Sequence, residues 1–122
     1  MPRGEIERNE MRTEEYSIFL RGKIVAICEA MLREEIGIIA GSRRLVGLGL
    51  ELFSDHDEDF LMFVAIDSET YHLPVDLERQ NWSVEALERK DKEIESYEAS
   101  AKADALETCR KLIRRFAMNG GI

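Results

Sequence analysis

The sequence predicts a mainly α-helical single domain, a bundle of two shorter helices and one long C-terminal helix, with an extended acidic connection that holds at most a short strand pairing. Three observations predict it. Apolar residues recur at three- and four-residue spacings over two stretches of the first half. No Gly or Pro interrupts residues 83–117, which marks one long helix. Between these parts, residues 54–81 lose the helical period and carry many acids.

A chain of 122 residues has the length of one domain with one core. Its 44% hydrophobic and 34% charged residues, with two prolines, belong to a globular chain rather than a disordered one. Residues 1–13 are polar, contain Pro2 and Gly4 and show no period, so a flexible N-terminus is expected. Residues 14–118 form the domain, and residues 119–122 a short tail.

The first helix is expected from Glu14, where Phe19, Leu20, Ile24, Ile27, Cys28, Met31 and Leu32 form one apolar stripe. Thr13 is its candidate N-cap. The second helix spans residues 38–53, with Ile38, Leu45, Leu48 and Leu52 on one face and Gly37, Gly41, Gly47 and Gly49 among them. Each helical glycine costs up to about 1 kcal/mol relative to Ala. They therefore require either close approach of another element or a chain break at Gly37.

Residues 60–66 form a continuous apolar run containing Phe, Val and Ile, which reads as a buried strand or an extended segment across the helices. A strand there would have to pair with residues 71–77, with a second copy of the chain, or with capping side chains. Asn81 or Ser83 can cap the last helix, Lys111, Arg114 and Arg115 lie near its end, and Asn119, Gly120 and Gly121 supply a stop. At about 1.5 Å per residue such a helix is roughly 50 Å long, so it is expected to kink or to project its first half. Residues 87–98 of that half offer only Leu87, Ile94 and Tyr97 as apolar residues. Together with Trp82 they are the interface candidates, and a homodimer through this helix is one expectation.

The formal net charge is −8, and residues 51–78 hold nine of the 25 acids with no Lys or Arg. Elsewhere acids and bases nearly balance. Repulsion from phosphates makes the acidic segment a poor nucleic-acid surface, whereas a basic protein is drawn to it. The candidate binding residues are Asp55, Asp57, Glu58, Asp59, Asp67, Glu69 and Asp76. No apolar run nears the roughly 20 residues that span a bilayer, and residues 1–13 lack the apolar core of a signal peptide. No membrane partner and a cytoplasmic location are expected. Cys28 and Cys109 each sit in an apolar helical pattern without a CxxC neighbour, and read as buried reduced thiols.

The stretch FVAIDSETYHLP, residues 63–74, resembles the first motif of the 3′-to-5′ exonucleases of the DEDD superfamily. There an apolar strand ends in Asp-x-Glu-Thr and two acids, matched here by Asp67 and Glu69, bind catalytic metals. That resemblance implies two later motifs with an Asp, a His and another Asp. Only 53 residues follow Glu69 and their sole histidine is His72, so nuclease chemistry is rejected. An EF-hand beginning at Asp55 fails as well, because Phe60 and Ile66 stand where Gly and a bidentate Glu are needed.

No catalytic nucleophile has a base at a recognisable offset, and no cofactor is called for. The expected function is non-catalytic protein binding, with the acidic segment presented to a basic partner as immunity or antitoxin proteins do. The alternative is a metal-binding protein or metal-dependent hydrolase using the Asp, Glu and His residues of 55–72, His56 among them, with Asp67, Glu69 and His72 as ligands.

Four phrases carry a resemblance over the whole chain: Gly41-Ser42-Arg43-Arg44-Leu45, DFLMFVAIDSETYHLP, NWSVEALERKDKEIE and CRKLIRRF. From residue 20 to residue 116 the chain looks like a family of small bacterial proteins of unknown function. The resemblance implies a bacterial, cytoplasmic, helix-rich protein with no established activity.

Overall fold

The computed structural model describes the backbone of residues 3–55 and 57–120, and the side chains of residues 14–55 and 57–117. Four α-helices follow one another: α1 (Arg3–Leu32), α2 (Ile38–Phe53), α3 (Leu61–Thr70) and α4 (Val84–Gly120), with 3-10 turns at Glu58–Phe60 and Asp76–Asn81. No strand occurs among the described residues. The mainly helical bundle with a long C-terminal helix is therefore the observed fold. At 30 residues, however, α1 is nearly as long as α4. It begins at Arg3 and not at Glu14, so Thr13 lies inside it.

α1 and α4 form the most extensive helix contact. They run antiparallel, since Met31 meets Cys109 and, three residues on, Glu34 meets Lys102 further back along α4. Most of the stripe read from the sequence is buried, Leu20, Ile24, Cys28 and Met31 fully and Ile27 and Leu32 in part, but Phe19 is exposed; Ile24, Cys28 and Met31 on α1 share a single core with Ala105, Cys109, Leu112 and Phe116 on α4. α2 lays Ile38, Ile39 and Leu45 into the same core.

Two glycines of α2 receive side chains from other elements, Gly49 from the 3-10 turn before α3 and Gly41 from α1. A Cβ on Gly49 would stand 2.8 Å from the Phe60 ring, and one on Gly41 would overlap the Met31 thioether. This close approach offsets the low helix propensity at those positions.

The expected extended connection is corrected by the structure. Residues 61–70 are α3, and Phe60, Phe63 and Ile66 are buried at a spacing of three. A continuous apolar run does not fix its own period. With no second strand to pair with, the helix is the state that satisfies these backbone groups internally. Ser83 caps α4, its Oγ accepting from the Ala86 N–H at 3.2 Å. The first half of α4 is not free, because Ile94 and Tyr97 rest on the core.

Candidate functional site

Consecutive residues on a helix point in different directions, so Arg43 and Arg44 of α2 reach different partners. Arg43 turns toward the end of α3, where the last carbonyls have no intrahelical donor. Its Nη2 donates to the carbonyls of Thr70 at 2.5 Å and Leu73 at 2.9 Å, and its Nη1 to Glu78 Oε1 at 2.7 Å. Its Nε lies 3.4 Å from Asp67 Oδ1, without a hydrogen bond. The planar guanidinium fork, with five fixed donors, suits this convergence of acceptors.

Glu78 closes the turn by also accepting from the Val75 N–H at 2.8 Å. That backbone bond, followed by the one from Arg43, holds the Glu78 carboxyl below the usual range. Arg44 pairs with Asp76 at 3.2 Å.

The same connection and the last turn of α3 are fastened to α4 by three further contacts. Arg79 makes a bidentate pair with Asp91 at 2.7 and 3.0 Å, which lowers the Asp91 pKa. His72 Nε2 lies 2.7 Å from Glu93 Oε2, and this bond draws the Glu93 carboxyl down. Tyr97 donates its hydroxyl to Glu69 at 2.5 Å. Burial first, and this bond second, push the Tyr97 phenol up to about 12.

At the other end of α3, Arg115 of α4 donates to both oxygens of Asp57 at 2.8 and 3.1 Å and to Asp59 at 2.7 Å. Its guanidinium lies over the rings of Phe53 and Phe116, 5.1 and 4.9 Å from their centroids. The Arg115 hydrogen bond holds the Asp57 carboxyl below its ordinary value, against the effect of burial. Lys111 adds an ion pair with Asp59 at 2.9 Å.

The predicted binding acids are thus drawn inward. Asp57 and Asp59 face Arg115, Asp67 and Asp76 face Arg43 and Arg44, and Glu69 serves Tyr97. Asp55 and Glu58 are exposed. The three alternative metal ligands go to three partners, Asp67 to Arg43, Glu69 to Tyr97 and His72 to Glu93. Among the described residues no group of three His, Cys, Asp or Glu is placed to hold a metal ion. His56 lies outside the described residues.

Of the interface candidates, Trp82 is 37% exposed and Leu87 half-buried, while Ile94 and Tyr97 pack within the chain. Sequence reasoning missed the organising arginines, Arg43, Arg79 and Arg115. The signal was present in the acidic segment's lack of any Lys or Arg, since a folded segment of that charge draws its counterions from elsewhere in the chain. It also missed Tyr71, Leu77 and Val84, which stand 78%, 77% and 70% exposed.

Fold and site together define a helical domain whose acidic connection is neutralised largely from within. The family model described as protein of unknown function (DUF2489) matches residues 3–112, and the chain belongs to that family. No curated protein and no solved structure matches it. No helix of the described residues is long and apolar enough to cross a membrane.

Proposed function

We propose that the chain is a non-catalytic protein-binding domain whose contact surface is the connection from Tyr71 to Val84. The observation that carries this reading is the set of large apolar side chains left in water there: Tyr71, Leu77, Val84 and, in part, Trp82. Burying one such side chain is worth about 1.5–3 kcal/mol, and aromatic anchors dominate protein interfaces.

The backbone that presents them is held by Arg43–Glu78, Arg44–Asp76 and Arg79–Asp91. A surface fastened in this way has little conformational freedom left to lose on binding. The acids therefore serve the interface by fixing it. Asp76 and Glu78 side chains remain 47% exposed and leave an acidic rim around the apolar anchors. With a net charge of −8, the partner this surface favours is a basic protein with apolar pockets, and attraction of opposite fields speeds such encounters. Neutralisation of a basic toxin, as by an immunity protein or antitoxin, is the form of binding that this charge favours.

The test is affinity capture from the source cells at low salt, run in parallel with the full chain and with a Tyr71→Ser, Leu77→Ser, Val84→Ser variant. A basic protein held by the native chain, lost with the variant, and shifting the fluorescence of the sole tryptophan, Trp82, when purified and mixed, supports the reading. The same captured set from both chains overturns it.

A further inference from the structure

Asp57, Asp59, Asp67, Asp76 and Glu78 each face an arginine. Two carboxylates that line the groove between α3 and α4 do not. Among the described residues, Glu69 takes only the Tyr97 hydroxyl at 2.5 Å, and the Asp104 carboxylate has no partner.

The groove follows from the spacing of its residues. Met62, Ala65, Ile66 and Glu69 recur at steps of three and four along α3, as do Tyr97, Ala101 and Asp104 along α4, so each set is one face of its helix. Alanine stands in the middle of both faces. No long side chain fills the space between Ala65 and Ala101, and a cleft of about 210 Å³ stays open. Its ends are set by Tyr97 on Glu69 and by Thr108, whose hydroxyl lies 3.5 Å from Met62 Sδ. Tyr97 uses one of the roughly four acceptor positions of the Glu69 carboxylate and leaves the others for a second donor.

We infer that this groove receives an arginine side chain of the basic protein that the Tyr71–Val84 surface favours, and the inference rests on that reading. The cleft is smaller than the roughly 300–1,000 Å³ of small-molecule sites, which suits a single side chain. Met62, Ala65, Ile66 and Ala101 offer apolar wall to a methylene stem, while two carboxylates without a cation draw a positive head. Arginine fits better than lysine, because its fork presents five donors and is more weakly hydrated than an ammonium. Glu69 stands two residues before Tyr71, so one end of the groove adjoins the apolar anchors of the contact surface.

The probe is N-acetylarginine amide, titrated into the isotope-labelled full chain and followed through its backbone amides by NMR, with the neutral citrulline amide as control. The arginine amide is expected to shift the amides of Glu69, Ala101 and Asp104 saturably, with a dissociation constant in the millimolar range, and the citrulline amide to leave them in place. Asp104→Asn, an exposed change on α4, is expected to weaken binding about twofold to fivefold. Ala101→Leu, which fills the groove and keeps both acids, is expected to abolish it; circular dichroism checks that each variant is folded. Absence of a saturable shift in the native chain, equal binding of citrulline amide or undiminished affinity in either variant overturns the inference. So do shifts at these amides that follow protein concentration alone, which put a second copy in the groove.

Low-salt capture separates this failure from that of the underlying reading. A basic protein lost with the Tyr71→Ser, Leu77→Ser, Val84→Ser variant, yet held undiminished by Ala101→Leu, overturns the groove alone. Loss with both variants supports both. The same captured set from the native chain and the triple variant overturns the underlying reading, and the partner's arginine with it.

Discussion

The two ends of α3 are both held by an arginine, and the two attachments differ in kind. At the C-terminal end Arg43 donates to two backbone carbonyls and one carboxylate, and its side chain is only 21% exposed. At the N-terminal end Arg115 donates to carboxylates alone, with two aromatic rings beneath it. When Arg115 leaves, these carboxylates keep other partners, Asp57 the Asp59 N–H and Asp59 the Lys111 ammonium. Thr70 closes α3 and Leu73 lies three residues beyond it, and both are buried against the body of the protein. An identical side chain thus completes the helix at one end and neutralises charge at the other.

Removing each arginine separates the two cases. Arg43→Met keeps the aliphatic stem and deletes every donor, leaving the Leu73 carbonyl and Asp67 without this partner while the Thr70 carbonyl keeps the Leu73 N–H, and is expected to cost about 2–4 kcal/mol. The measurement is the urea midpoint, with the slope of the transition unchanged. Arg43→Lys is expected to recover little of it, since an ammonium cannot reproduce the fork. A loss under about 1 kcal/mol for Arg43→Met would place the two ends of α3 in the same class.

The next largest effect tests whether apolar packing, more than charge, fixes the N-terminal end. Gly49→Ala places a methyl 2.8 Å from the ring of Phe60, a residue just before α3 that is 2% exposed. The ring is packed against those of Phe53, Phe63 and Phe116, and overpacking is expected to cost about 1–3 kcal/mol despite the better helix propensity of Ala. Gly47→Ala, with open space around it, is the control and is expected to stabilise α2 by up to about 1 kcal/mol. Thermal unfolding of the pair reads the difference directly.

Much of this architecture was legible in the sequence, and the part that was not has a physical reason. The stripes of α1 and α4 were visible because each repeats at helical spacing over many residues, and only one face of either can meet the core. α3 was misread because residues 60–66 are apolar all round, so no period separates helix from strand; its hydrophobic residues Leu61 and Ala65 are in fact exposed. The acidic segment was legible as a charge and not as a structure. Its partners, Arg43, Arg44 and Arg115, stand up to 58 residues away, and no local pattern encodes such pairings. The exposed Tyr71, Leu77 and Val84 were hidden for a related reason, because a sequence shows that a residue is apolar but not which connection leaves it in water.

Arg115 should show its role most clearly through pH. Arg115→Met is expected to cost about 1 kcal/mol at neutral pH, less than Arg43→Met. The Asp57 carboxyl has a folded pKa below its ordinary value of 3.8 because Arg115 donates to it. A group depressed in the folded state binds more protons when unfolded, so its contribution is present above the unfolded value and is lost as pH falls through the folded one. The native chain should therefore lose stability on acidification below about pH 4, and the Arg115→Met variant should lose less over the same interval. Equal acid slopes would show that Asp57 gains nothing from this arginine.

The smallest effect has the opposite sign and sits beside the first. Ser42, next to Arg43 on α2, is fully buried and its hydroxyl has no hydrogen-bond partner. A buried hydroxyl without a partner has given up its water for nothing in return, and Ala is also the better helix former by a few tenths of a kcal/mol. Ser42→Ala is therefore expected to leave stability unchanged or raise it by up to about 1 kcal/mol. Measured in the Arg43→Met background it becomes a coupling test. If the gain from Ser42→Ala is the same in both backgrounds, the arginine acts through α3 alone and the hydroxyl is independent of it. If the gain disappears without Arg43, the two polar groups share one strained environment at the α2–α3 contact, and the C-terminal attachment of α3 extends one residue further into the core than its hydrogen bonds indicate.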